Sequence, residues 1–254
     1  MRKRQMTSQS AKMPEVRHFF IRHGDNRGNA LSECGIDEAR KMHELLAEKG
    51  LAYDALKTYC ADNLQSIESA TLVLCPDLPL ADLAQQAKKA IQGGTIKLDS
   101  RLRYTKFGKG DEQIAAEFQD AYDAGSTMRF YVNRSDEFLR ANPRLSTYTT
   151  IARTMAQTLL LRDQQKTDSL NCGKQFLWPT LRAKLLETTD GPDTRDKYVG
   201  WYCDKKELKD SARLDIAVAR LSLNGCVLED DYGRFETSRQ TLIEIARGET
   251  DGGY

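Results

Sequence analysis

FFIRHGDNRGN, Phe19 to Asn29, is the stretch that decides the fold. A short β-rich run, Val16 to Ile21, stops at Arg22-His23-Gly24 and passes into a loop carrying Gly24, Asn26 and Gly28. Aromatic and β-branched residues favour the strand, while glycine and asparagine favour the turn that ends it. An arginine and a histidine side by side at the C-terminal end of a strand make a chemical pair. Alone, the tripeptide also fits a loop histidine bonded to backbone, so its surroundings decide.

Working outward, Ser32 is placed to cap a helix that runs to about Lys49. Ile36, Ala39, Met42 and Leu45/Leu46 recur on one face, and Gly50 stops it. A second strand is expected within Tyr53 to Ala61, with a helix from about Leu64 to Val73. Pro76 and Pro79 break the chain before a helix at Ala81 to Ile91 and a strand at Thr95 to Leu98. Asp111 to Asp123 is expected to be helical, and Gly125 to Pro143 irregular or partly helical. Thr147 to Arg162 is the longest helix, followed by a strand near Lys166 to Asn171 and a helix from Gln175 to Glu187. Thr188 to Asp196 reads as a loop. Asp215 to Leu223 and Cys226 to Asp230 read as strands paired through Asn224-Gly225. Strands alternating with helices predict an α/β three-layer sandwich: a mostly parallel central sheet with helices on both faces.

The chain has 254 residues, 40% hydrophobic and 30% charged, with a net charge of +1. That balance is ordinary for a globular protein and gives no bulk signal for nucleic acid, a membrane surface or a strongly acidic partner. Six cysteines stand singly, without a CxxC pair, and there are three histidines, so no metal site is expected. Scattered reduced thiols fit a cytoplasmic protein. Residues 1–14 are expected to be a flexible basic leader; being free of acidic residues, they are also compatible with an organellar transit peptide.

Phe19 to Asn29 resembles the signature of the histidine phosphatase superfamily, the phosphoglycerate mutase-like proteins: an apolar strand, Arg-His-Gly, and an asparagine six residues past the histidine. Leu31-Ser32, Gly35 and Ala39 also stand where that family places Leu-Thr, Gly and Ala. Leu102 to Gly108, LRYTKFG, resembles its Leu-x-Glu-x-x-Tyr/Phe-Gly segment, and Ser146 to Arg153, STYTTIAR, the start of its long helix. The resemblance spans about residues 16 to 235. It implies a single domain over 15–247 with a cap insertion at about 111–145 and a flexible tail at 248–254. It also implies His23 as the nucleophile, with Arg22 and Asn29 on the phosphate.

The resemblance also shows what is missing. Such a site uses two histidines, two arginines and a carboxylic acid. In Asp62-Asn63-Leu64-Gln65-Ser66-Ile67, Ser66 stands for the second arginine, and Asp62, an anion, for a serine. Tyr104 stands for one acid and Leu145 for the other, and a phenol is a poor acid. No histidine follows residue 43, and Leu170-Asn171-Cys172-Gly173 most resembles the second His-Gly, so Cys172 stands for the second histidine. Ser66, Tyr104 and Cys172 are therefore expected to line one concavity with Arg22 and His23. Arg101, Arg103, Lys106 and Lys109 could turn toward a ligand or form a solvated face.

The function this implies is a histidine phosphatase-like protein, catalytically impaired or non-catalytic, serving as a binding or structural module. The alternatives are an active phosphomonoesterase or phosphotransferase through a phosphohistidine on His23, and a sensor of a phosphorylated small molecule. No cofactor is implied. A phosphorylated small molecule or a protein is the expected partner.

Overall fold

Arg17–Arg22 forms strand β1, and the reason lies in its side chains: Phe19, Phe20 and Ile21 are all buried, as in a central strand covered on both faces. The loop after it makes a small hairpin, β2 (Asn26–Arg27) with β3 (Ala30–Leu31), before helix α1 (Glu33–Glu48). Ser32 caps α1 by accepting the amide of Gly35, and Gly50, at φ +85°, takes the left-handed conformation that turns the chain away. Then follow β4 (Lys57–Cys60), α2 (Leu64–Leu74), α3 (Leu83–Gln92) and β5 (Ile96–Leu98). Helices α4 (Glu112–Asp123) and α5 (Thr127–Ala141) precede α6 (Tyr148–Asp163), whose start is a reciprocal capping box between Thr147 and Thr150. The chain closes with β6 (Ser169–Gly173), α7 (Leu177–Asp190), α8 (Pro192–Glu207), β7 (Ile216–Leu221), β8 (Gly225–Asp230), β9 (Gly233–Ser238) and α9 (Arg239–Arg247). This computed structural model describes residues 16–54, 56–103, 112–141, 147–174, 176–207 and 216–250. The leader at 1–14, Tyr104, Lys106, Lys109, Leu145 and most of the expected tail lie outside them.

Seven strands form one sheet in the order β5-β4-β6-β1-β7-β8-β9. The four strands from β5 to β1 are parallel, while β7, β8 and β9 are antiparallel to their neighbours. Alternation along β1 divides the core. Phe19 and Ile21 face Met42 and Leu46 of α1 and Ala70 and Val73 of α2, whereas Phe20 faces Met155 and Leu159 of α6 and Trp178 of α7. The expected α/β sandwich is the fold, with β1 fourth of seven strands and its C-terminal end at the ligand edge usual for parallel sheets. No helix among the described residues is long and apolar enough to cross a membrane.

One expectation is corrected, and two are extended. Thr188 to Asp196 is helical apart from a break at Gly191, whose φ of +92° ends α7 just before Pro192 opens α8. Its polarity reflects a solvated helix surface. Thr127–Ala141 is a regular helix, and β9 with α9 extends the sheet beyond the expected closing hairpin.

His18, fully buried in β1, has Nδ1 3.0 Å from Ser169 Oγ, and burial pushes its pKa down to about 4. The unfolded chain takes up this proton near pH 6.5, and the folded chain only near 4. Stability from this residue is therefore intact above about pH 6.5 and falls by on the order of 3 kcal/mol as pH drops to about 4. Urea midpoints at stepped pH should show this fall, shallower in His18→Gln; identical slopes for the two proteins would contradict it.

Candidate functional site

The strand register determines what stands beside His23. Arg22 pairs with Gly173, and the amide of His23 donates to the carbonyl of Gly173 at 3.1 Å, so the two chains part immediately beyond this point. The residue following Gly173 is Lys174, and its charge acts on His23. Cys172, one residue earlier, pairs with Ile21 and Cys60 and points into the core among Phe19, Leu170 and Val218. Burial pushes its thiol well above the ordinary range. The expectation that Cys172 lines the concavity with His23 is therefore not met. Cys172 lies two residues back from Lys174, which follows the Arg22–Gly173 pair as His23 does, and a two-residue step along a strand moves a side chain back from its edge.

His23 is only partly exposed. Its Nδ1 lies 2.8 Å from the carbonyl of Gly24, an atom that can only accept, so Nδ1 carries the hydrogen and Nε2 the lone pair. Burial lowers its pKa to about 4, the charges of Lys174 and Arg22 push the same way, and the Gly24 carbonyl and Asp25 oppose them. At neutral pH this is a neutral imidazole with a nucleophilic nitrogen, the state that attack on phosphorus requires.

The loop after His23 is clamped from two helices. Ser69 of α2 accepts the amide of Gly24 at 3.0 Å, and Glu38 of α1 accepts the amide of Asp25 at 2.9 Å. Glu38 is 6% exposed and its second oxygen lies 3.5 Å from Arg22 Nη2, so one buried carboxylate orients both the guanidinium and the loop. Glu68 and Gln65 of α2 reach the loop further on, at the Leu31 amide and the Gly28 carbonyl, both at 3.0 Å. The glycines of the motif are explained by contact: a Cβ on Gly24 would lie 2.3 Å from the carbonyl oxygen of Gly35, and one on Gly35 would lie 1.9 Å from that of Asp25. Backbone meets backbone there, and neither side can yield as a side chain would. Gly35→Ala should therefore cost about 1–3 kcal/mol and displace the loop; chemical denaturation and histidine NMR shifts measure both, and an unchanged stability would contradict the contact.

The remaining expected residues separate. Asn29 is exposed at the turn between β2 and β3. Ser66 is fully buried and its hydroxyl has no hydrogen-bond partner among the described residues; the neighbouring Gln65 is the one that bonds to the loop. Asp62 pairs with Arg103 at 3.0 Å, with both side chains well exposed, so its negative charge is partly offset. Arg101 is held by Asp99 at 2.8 Å. Reading the sequence missed Lys174, Glu38, Ser69 and Gln65. A signal existed for Glu38, which stands between Gly35 and Ala39 on the buried face of α1. Arg22, Gly173, Lys174, Leu102 and Trp178 border a narrow cleft of about 20 Å³, room for one water. Among the described residues no group of histidine, cysteine and carboxylate side chains is arranged to hold a metal ion.

No protein-family model matches this chain, and no curated protein matches it. Among solved structures it is similar to a phosphoserine phosphatase from Entamoeba histolytica, with 13% identity over 80% of this chain and 90% of that one and a TM-score of 0.46. It is similar to a phosphoglycerate mutase from Bacillus anthracis str. Sterne, with 14% identity over 92% and 97% and a TM-score of 0.47. An alpha-ribazole phosphatase from Shigella flexneri gives 14% identity over 82% and 92% and a TM-score of 0.43. At these identities and TM-scores the likeness carries no argument, and the chemistry of the site is read from its own residues.

Proposed function

We propose that this chain is a histidine phosphatase-like protein that binds a phosphorylated small molecule at the edge of β1 and β6, with turnover impaired. The observation that carries this is the neutral His23, its Nδ1 turned to the Gly24 carbonyl and its imidazole within the field of two cationic residues, Arg22 and Lys174. Two cations beside a nitrogen lone pair attract a phosphate dianion and orient it. The cleft beside Arg22 is too narrow for a phosphate ester, so the ligand lies across its mouth. Against turnover stand Gln65 and Ser66 where a second guanidinium is expected, and Glu38 drawing on the charge of Arg22. The six unpaired cysteines fit a reducing compartment such as the cytoplasm.

Calorimetric titration with inorganic phosphate tests the site. Arg22→Ala and Lys174→Ala should each weaken binding by about tenfold or more, since a hydrogen bond to a charged group contributes about 1.5–3 kcal/mol. His23→Ala should weaken it less. Wild-type protein that binds no phosphate would end the proposal.

A second reading, phosphoryl transfer through His23, is favoured by one specific observation: Lys174 supplies positive charge where a second histidine is absent. Its mark is an acid-labile, base-stable phosphohistidine after incubation with a labelled phosphomonoester, lost in His23→Ala.

A further inference from the structure

At the same end of the sheet, beyond β1, lies a second cleft that the phosphate site does not use. The register Ile21 to Ile216 places the start of β7 at the His23 edge, and β8, antiparallel to β7, ends there at Asp230. Asp230, Asp231 and Ile216 border the cleft with Tyr198 and Trp201 of α8. Tyr232, in the turn between β8 and β9, packs edge-on against Trp201 at 4.9 Å and Tyr198 at 5.1 Å. Trp178 and Pro179 form a wall common to this cleft and to the one beside Arg22 and Lys174. The two openings are thus neighbours along one edge.

The chemistry of this second cleft is the opposite of the first. Among the described residues the charged side chains lining it are carboxylates, and its other polar faces are aromatic. Asp230 is held in place, accepting the Tyr232 amide at 2.9 Å and the Tyr198 hydroxyl at 3.3 Å. Asp231 is exposed, and Tyr232 is 38% exposed. Arg182 lies 6.0 Å from the Tyr198 ring on the interior side, where it bonds the carbonyls of Leu228 and Gly233; Trp201 and Tyr232 are the partly exposed rings of the group. Partly exposed aromatic rings beside a carboxylate attract an organic cation, which a neutral or anionic group would not match.

We propose that this cleft is a subsite for an ammonium group, so that the ligand is a phosphate monoester carrying a primary or quaternary amine on an alkyl linker. The inference rests on the phosphate site proposed above. Phosphate lies at Arg22, His23 and Lys174, the linker passes over Pro179 and Trp178, and the ammonium lies on the outer side of the Trp201 and Tyr232 rings, beside Asp231. Both clefts are narrow, about 20 Å³ each, so the molecule spans their mouths rather than entering them. β8 stands two strand spacings from β1, which sets the span at roughly 10 Å.

Calorimetry on the full chain with a series of ω-trimethylammonioalkyl phosphates of increasing length tests this, with inorganic phosphate, tetramethylammonium and a neutral tert-butyl analogue as controls. An intermediate length should bind about tenfold more tightly than inorganic phosphate. Tyr232→Ala and Asp231→Asn should each remove most of that gain and leave affinity for inorganic phosphate unchanged; both residues are exposed, and circular dichroism checks the fold. A series flat with length, a neutral analogue that binds equally well, or variants that keep the full gain would each overturn the subsite. Loss of phosphate binding with tetramethylammonium still bound, and released by Asp231→Asn, would overturn the phosphate site while supporting the subsite.

Discussion

Purified protein should release phosphate from an aryl phosphate, 3-phosphoglycerate or a phosphopeptide roughly four to six orders of magnitude more slowly than a phosphatase with a complete site, and His23→Ala should change this little. Phosphoryl transfer requires positive charge against three equatorial oxygens, a nucleophile, and an acid for the leaving group. His23, the nucleophile of the proposed chemistry, is neutral, with its hydrogen on Nδ1 and its pKa lowered to about 4. Among the described residues the charge is incomplete: Arg22 is shared with Glu38, and α2 offers Gln65 and Ser66 in place of a guanidinium. Lys174 adds a point charge, which cannot match the two parallel contacts of an arginine. The sequence resemblance puts Tyr104 in the place of the usual acid, and an unperturbed phenol titrates near 10. Losing one preorganised donor costs about 2.7–4 kcal/mol, so a missing guanidinium and a missing acid together remove roughly four to six orders of magnitude in rate. The measurement is phosphate release from about pH 5 to pH 8 with wild type and His23→Ala in parallel. Robust turnover abolished by His23→Ala would establish an enzyme with a rebuilt acid.

Asp99→Ala should destabilise the fold by about 3–5 kcal/mol, a large part of the stability of an ordinary domain. Asp99 follows β5, its amide donating to the Cys60 carbonyl at 2.8 Å, and its carboxylate accepts from Arg101 and from Arg162. Arg162 is 2% exposed; its Nε donates to Asn171 of β6 at 3.0 Å and its guanidinium lies 3.4 Å from the centre of the Tyr59 ring. Burial pushes the Asp99 carboxyl upward, but the hydrogen bonds from the two arginines outweigh this and hold it below the usual carboxylate range. Removing the carboxylate leaves a guanidinium inside the protein without its counter-charge, and that uncompensated charge is the main cost. Urea denaturation measures the change. Asp99→Ala combined with Arg162→Met should recover much of the loss, because the cation is then gone as well; a single variant within about 1 kcal/mol of wild type would contradict the argument.

The two-residue error at Cys172 shows where sequence stops being informative. Local chemistry was legible: the strand ending at Arg22-His23-Gly24, the cap at Ser32, the stop at Gly50, the long helix beginning at Thr147 and the hairpin at Asn224-Gly225 all follow from short-range rules that the structure reproduces. These features depend on neighbours in the chain, so the chain displays them. Which residue faces His23 depends instead on the register between β1 and β6, elements about 150 residues apart. Only their backbone pairing makes Lys174 the neighbour and sends Cys172 into the core. The same holds for Glu38 beneath Arg22, for Arg162 inside the protein against Asp99, and for Tyr232 against Trp201. The sequence by itself determined the α/β alternation and the nucleophilic histidine at a strand end; the tertiary structure alone decided which charges surround that histidine, because electrostatic partners are set by distance in space and not by spacing along the chain.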